Sequence, residues 1–225
     1  MTVPLLEAIA VTKTYMREDA PPVEALRGLD LRVERGEFLA LTGPSGCGKS
    51  TLLTVLSGLD LPTSGQVLFA GLDLTNTAED DLAELRNREI GFIFQAFHLV
   101  PSMTALENVA FPAELAGDRQ AVERARELLG RVGLSQRAES FPHQLSGGEK
   151  QRVAICRALI NQASLIFADE PTGNLDSENG HQIMELLLAL RAEHGSSLLL
   201  VSHAPEVVRL ADRVVTLADG KVAPI

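Results

Sequence analysis

Short apolar runs rich in β-branched residues alternate along the chain with stretches in which apolar residues recur every three or four positions. That alternation predicts an α/β protein with a mainly parallel sheet. Buried strands are expected at 38–42, 90–94, 165–169, 197–202 and 214–217, and shorter ones of antiparallel type at 5–11, 29–33 and 66–69. Helical spacing predicts helices at 50–57, 78–87, 105–116, 120–132, 148–160 and 179–193. From 95 to 160 helical periodicity continues with almost no strand signal. The expected organisation is one domain, 1–225: an α/β core from 1–94 and 161–225 with an antiparallel β subdomain, and a helical lobe, 95–160, inserted into it. No repeat, low-complexity tract or long linker interrupts the pattern, so the lobe is expected to be packed rather than tethered.

Composition adds limits. With 225 residues, 45% hydrophobic and 22% charged, the chain can bury a core and does not read as disordered. Its 20 basic and 30 acidic side chains give a net charge of −10, which argues against a nucleic-acid surface. Cys47 and Cys156 are isolated, without the spacing of a zinc site or a disulfide framework, so a reducing compartment is the easier home. The opening MTVPLLEAIAVTKTY lacks a basic segment followed by a long apolar one and does not read as a leader. No apolar run approaches the roughly 18 residues of a spanning helix, so the chain is expected to be soluble by itself.

Two stretches carry phosphate chemistry. The strand FLALT runs into GPSGCGKST, comprising Gly43, Pro44, Ser45, Gly46, Cys47, Gly48, Lys49, Ser50 and Thr51, and a helix follows. This fits GxxxxGK[ST]: the glycines let the backbone wrap phosphates, Lys49 reaches the β- and γ-phosphates, and Ser50 can ligate Mg²⁺. The second stretch, LIFADEP, delivers Asp169 and Glu170 at the tip of a buried strand. Asp169 suits Mg²⁺, through water, and Glu170 suits a general base for the attacking water. A nucleoside triphosphate site follows, although a small-molecule kinase would satisfy the same residues.

LSGGEKQR, residues 145–152, opens another helix with serine and two glycines, which again aims amides and a positive dipole end at an anion. One chain thus holds two phosphate cradles. With these residues in view, the whole chain resembles the ATP-binding subunits of ABC transporters. LSGGE resembles the family's signature motif, normally ending in Gln; TGNLD its D-loop; LVSH the strand leading to its switch histidine; and FIFQ its Q-loop strand. The resemblance implies a P-loop NTPase fold, with ATP and Mg²⁺ as cofactors. Two such subunits face each other head to tail, so that Ser146, Gly147, Gly148 and Glu149 contact the ATP held by the other copy.

Residue by residue, the resemblance implies adenine stacking for Tyr15, the only tyrosine, which could otherwise be a strand residue on the core. Gln95 would contact Mg²⁺ or the attacking water, or else cap local backbone. His203 would contact the γ-phosphate, and Asp176 would reach across the dimer as well as cap a helix. Glu149 stands where a carboxylate would repel phosphate, so its side chain is expected to turn toward ribose or protein donors. Lys150 is a further departure from the usual Gln that follows.

FADEPTGNLD, LSGGE and ALENVAFPAELAG are similar to the lipoprotein-releasing and macrolide-exporting branch, with its LolD-like, MacB-like and YbbA-like subunits. That implies a homodimer at the cytoplasmic face of the inner membrane, driving a separate transmembrane permease subunit to extrude lipoprotein, lipid or hydrophobic compounds or to transmit force. The cargo would be set by that subunit. The segment 97–115 is expected to hold its docking surface, with Leu99 and Met103 as exposed members. The alternatives are an amino-acid-type importer and a non-transport ATPase acting on DNA, although the latter places long coiled coils between its nucleotide motifs.

Overall fold

The structure is a computed structural model describing residues 3–16 and 20–223; Met1 and Thr2 of the stretch read for a leader lie outside the described residues. The chain divides into two compact units, one formed by 1–86 with 197–225 and the other by 87–196.

In the first unit an antiparallel sheet joins β1 (Leu6–Tyr15), β2 (Val23–Val33), β4 (Ser64–Phe69) and β5 (Leu72–Asp73) in the order β2-β1-β4-β5. Leu6 and Ala8 face inward opposite Val33 and Leu31, and then the register slips between Ala8 and Val11. Ala10 takes a left-handed φ of 47° there, and its amide donates to Asp30 Oδ1 at 2.8 Å. The extra residue at this bulge is why Val11, an odd-numbered position, resumes the inward set begun by even-numbered ones. Strands β1 and β2 extend well past their predicted limits because the bulges break the period-2 signal and much of their added length is exposed.

The same unit holds β3 (Phe38–Thr42), which pairs in parallel with β8 (Ser197–Val201) on one side and β9 (Arg213–Ala218) on the other. A two-residue strand, β10 (Lys221–Val222), returns antiparallel to β9. Strand β8 is buried throughout and the first four residues of β3 are buried, which accounts for their unbroken apolar runs. Helix α1 (Lys49–Leu56) follows β3, α2 (Glu79–Glu89) leads in sequence into the second unit, and the short α7 (Pro205–Val208) follows β8.

In the second unit β6 (Ile90–Phe94) and β7 (Leu165–Asp169) pair in parallel from Ile90↔Leu165 to Phe94↔Asp169. With them are α3 (Ala105–Leu115), α4 (Ala121–Arg131), α5 (Gly147–Leu159) and α6 (Ser177–His194). Thr104 and Glu107 form a capping box at the start of α3. The buried Asn108 amide accepts from the Val100 N–H and donates to the carbonyls of Val100, Met103 and Thr104, which leaves no part of it unsatisfied and fixes the turn before α3. Leu99 and Met103 are half-buried rather than exposed; the exposed apolar side chains of this segment are Val100, Phe111 and Leu115.

Candidate nucleotide-binding site

The loop after β3 is shaped by close backbone approaches. Gly43 has φ 143°, and a Cβ there would stand 2.2 Å from the Leu217 carbonyl oxygen; at Gly48, φ 106°, it would stand 2.5 Å from that of Ala25. Only glycine fits both positions. Gly48 is also the N-cap of α1 and offers no side-chain acceptor to the first turn, a helix start of the kind that suits an anion. The largely buried Lys49 curls back over the loop and donates to the carbonyls of Gly43 and Pro44 at 2.7 and 2.9 Å. A phosphate would replace these acceptors with charged ones. Cys47 is buried in the loop, with its carbonyl accepting from the Gly220 amide.

A cavity of about 320 Å³ opens on this loop, lined by residues 46–51 and by Tyr15. Tyr15 is 39% exposed, its hydroxyl donates to Asp60 at 3.1 Å, and Lys13 lies 5.1 Å from its ring centre while pairing with Asp60. Burial raises the Asp60 carboxyl, but the hydrogen bonds from Lys13 and Tyr15 outweigh it and hold the group below its ordinary value. Two stretches that sequence reasoning missed complete the lining: residues 23–25 of β2 and the turn at Asp219 and Gly220. Both arrive by long-range pairing and carry no phosphate-binding pattern of their own. His203 lies two residues beyond β8, the parallel neighbour of the strand that feeds the loop, and is exposed.

In the second unit the β6–β7 register sets Phe94 opposite Asp169, so Gln95 and Glu170 each follow directly on the end of the paired strands. Glu170 takes a left-handed φ of 47°, an uncommon conformation for a non-glycine residue and one found at functional turns. The Gln95 amide donates to Asn174 Oδ1 at 3.3 Å, and Asn174 Nδ2 donates to the Gln95 carbonyl at 2.8 Å. Sequence reasoning left Asn174 unassigned. Asp176 caps α6, accepting from the Asn179 amide at 3.0 Å, a bond that holds its carboxyl below the usual range. Cys156 is enclosed in α5, where burial pushes its thiol up to about 12 and makes it inert.

The start of α5 is exposed at Ser146, its N-cap. The Glu149 amide donates to Ser146 Oγ at 3.3 Å, and Glu149 Oε2 accepts from the Ser146 amide at 2.8 Å. Arg137 donates to Glu149 Oε1 at 3.1 Å. The Ser146 amide bond holds the Glu149 carboxyl below its ordinary value, against burial and with help from Arg137. The carboxylate therefore faces protein donors, while the Ser146 hydroxyl hydrogen and the next two amides of the helix have no partner within it.

Comparison with known proteins points to one family. A family model described as ABC transporter matches residues 26–173. The pyoverdine export ATP-binding/permease protein PvdT of Pseudomonas putida is 50% identical over 226 residues, covering 99% of this chain and 34% of its own length. The macrolide export ATP-binding/permease protein MacB of Nitrosomonas europaea is 48% identical, covering 97% and 33%. This chain thus spans about a third of the length of the curated relatives it matches. Among solved structures, the ATP-binding cassette MJ0796, as a dimer in a post-hydrolysis state bound to ADP and Pi, superposes with TM-score 0.89 at 40% identity over 97% of both chains. With this loop, this helix start and these relatives, the chain belongs to the ABC transporter family, as an ATP-binding cassette in the branch that includes MacB-like proteins.

Proposed function

We propose that the chain binds ATP with Mg²⁺ on the loop 43–51, hydrolyses it in a head-to-tail pair with a second copy, and so drives a membrane permease of an export system. The supporting observation is the build of α5: an exposed helix start whose one acidic side chain is folded away onto Arg137 and the Ser146 amide, in a chain that already has a complete phosphate loop. A second anion site in the same chain has its simplest use on the partner's ATP.

In this reading Lys49 and the backbone of the loop 43–51 hold the β- and γ-phosphates, and Tyr15 stacks on adenine. Glu170 takes a proton from water as its oxygen bonds to the γ-phosphorus and the bond to the ADP oxygen breaks. His203 and Gln95 orient the γ-phosphate and the water, and Asp176 contributes across the pair. The donor set of Ser50, Asp169 and Gln95 offers only oxygen, which suits Mg²⁺, an ion that keeps waters and takes phosphate ligands rather than a protein cage. Bound there, Mg²⁺ would neutralise charge developing on the phosphates.

No described helix is long and apolar enough to cross a membrane, so the membrane path is assigned to the permease. The names of the relatives join ATP-binding and permease functions, with pyoverdine or macrolides exported. For this chain we assign export at the cytoplasmic face of the inner membrane, with a cargo of hydrophobic or lipid character.

Mixing Ser146→Arg chains with Lys49→Ala chains tests the pairing. A head-to-tail pair then contains one site with both lesions and one with neither, and ATPase activity returns. Demonstrated mixed dimers without activity would refute the composite site.

A further inference from the structure

After Gln95 the backbone of the second unit makes an unusual turn. Phe97 and His98 are consecutive, neither is glycine, and both are left-handed, with φ 63° and 47°. Within the turn the Phe97 amide donates to the Phe94 carbonyl at 3.1 Å and the His98 amide to that of Ala96 at 2.7 Å. The His98 ring sits edge-on to Phe94, with centroids 4.9 Å apart. Side chains with a Cβ resist this conformation, so two in succession persist only where the surroundings hold them.

What holds them is Arg157, in the last turn of α5. Its Nη1 donates to the His98 carbonyl at 2.5 Å and its Nη2 to the Phe97 carbonyl at 2.9 Å. A planar, two-pronged donor matches two successive carbonyls in a way a lysine ammonium cannot. Burial makes this guanidinium depend on those carbonyls in return. Ten residues earlier the same helix begins at the signature glycines: a Cβ on Gly147 would lie 4.0 Å from the Phe97 ring. The turn is thus gripped by the end of α5, has its Phe97 ring near the start of the same helix, and follows directly on Gln95.

We propose that Arg157 is a positioning residue for ATP hydrolysis: by clamping the Phe97–His98 turn to α5 it makes Gln95 and the signature start at Ser146 move as one body. ATP held against Ser146 then sets where Gln95 stands. The proposal rests on the reading given above of Ser146 as a contact to the partner's ATP and of Gln95 as a contact to Mg²⁺ or the attacking water.

The test uses the full chain. Arg157→Lys keeps the charge and removes the fork. Hydrogen exchange at the amides of residues 97–99, measured without nucleotide, should quicken about tenfold or more, as expected on losing a charge-assisted hydrogen bond. Nucleotide affinity and KM should stay within about twofold while kcat falls about tenfold. Adding His98→Gly, which accepts the left-handed conformation unaided, should restore most of the kcat and, if Arg157→Lys alone folds poorly, the fold as well. Unchanged exchange would overturn the clamp. Quickened exchange with normal kcat would overturn its link to catalysis, and a folded double variant without recovered kcat would do the same. Because exchange is read without ATP, and mixing of Ser146→Arg with Lys49→Ala is read with Arg157 intact, failure of this proposal and failure of the composite site are distinguishable.

Discussion

Asn174 holds Gln95 by both main chain and side chain: its amide nitrogen donates to the Gln95 carbonyl while its oxygen accepts from the Gln95 amide. The side chain proposed to orient the attacking water is thus parked on the segment leading to Asp176, and the adjacent Gly173 leaves little room beside it. A Cβ at 173 would stand 2.8 Å from Gln95 Nε2, the mobile end of a flexible side chain.

Gly173→Ala should therefore fold normally but dislodge the Gln95 amide. We expect a melting temperature within a few degrees of wild type, unchanged nucleotide affinity and a several-fold lower kcat. A normal kcat would remove Gln95 from the hydrolytic site.

Glu170→Gln should leave the phosphate contacts of Lys49 intact while deleting the base. The expected loss in turnover is ~10²–10⁴-fold, with ATP affinity preserved. Because the ATP that joins two copies is no longer consumed, this variant should elute as an ATP-dependent dimer in gel filtration. Near-normal hydrolysis would assign the base elsewhere.

Glu149 gives a pH dependence. Its carboxyl is held below the ordinary carboxylate value by the Ser146 amide, so its charged form stabilises the fold fully above the unfolded value of roughly 4.3, and that contribution disappears as pH falls through the lowered folded value. Glu149→Gln keeps a capping side chain but not the charge. Its stability deficit in urea should be present at pH 7 and shrink as pH falls below the ordinary carboxylate value. Glu149→Ala should cost about 1 kcal/mol at pH 7 through loss of the capping box.

Phe111 and Leu115 lie one turn apart on α3 and are 38% and 65% exposed. On the proposed function they would offer a permease an apolar contact within the segment expected to dock it, and they replace the half-buried Leu99 and Met103 as the residues to alter. Leu115→Glu should leave ATP binding and basal hydrolysis intact and abolish stimulation by the permease in vesicles. Stimulation equal to wild type would place the docking surface elsewhere.

The strands β3, β6 and β7 were legible from their apolar runs: four buried apolar residues precede Thr42 in β3 and Asp169 in β7, and β6 carries no polar side chain. The loop 43–51 was legible because its chemistry is local. Less visible were features created by pairing distant segments. The bulge at Ala10 follows from a slipped register, and the cavity lining at Asp219 and Gly220 follows from the return of β9 into β10. Arg157 reads as one more polar residue on an amphipathic helix until the left-handed turn it holds is seen. Asn174 likewise shows no role until Gln95 is placed beside it.

The loop that holds phosphate lies in the first quarter of the chain, yet its shape depends on the last tenth. Gly43 packs under the Leu217 carbonyl, Cys47 accepts from the Gly220 amide, and the Arg27 amide beside the cavity donates to the Gly220 carbonyl. During synthesis the motif leaves the ribosome long before its backing does. A nascent chain stalled before β9 would carry every residue of GPSGCGKST and still lack the walls that curve it. Such a partial chain is expected to bind nucleotide more weakly than the full one, although it carries the whole motif.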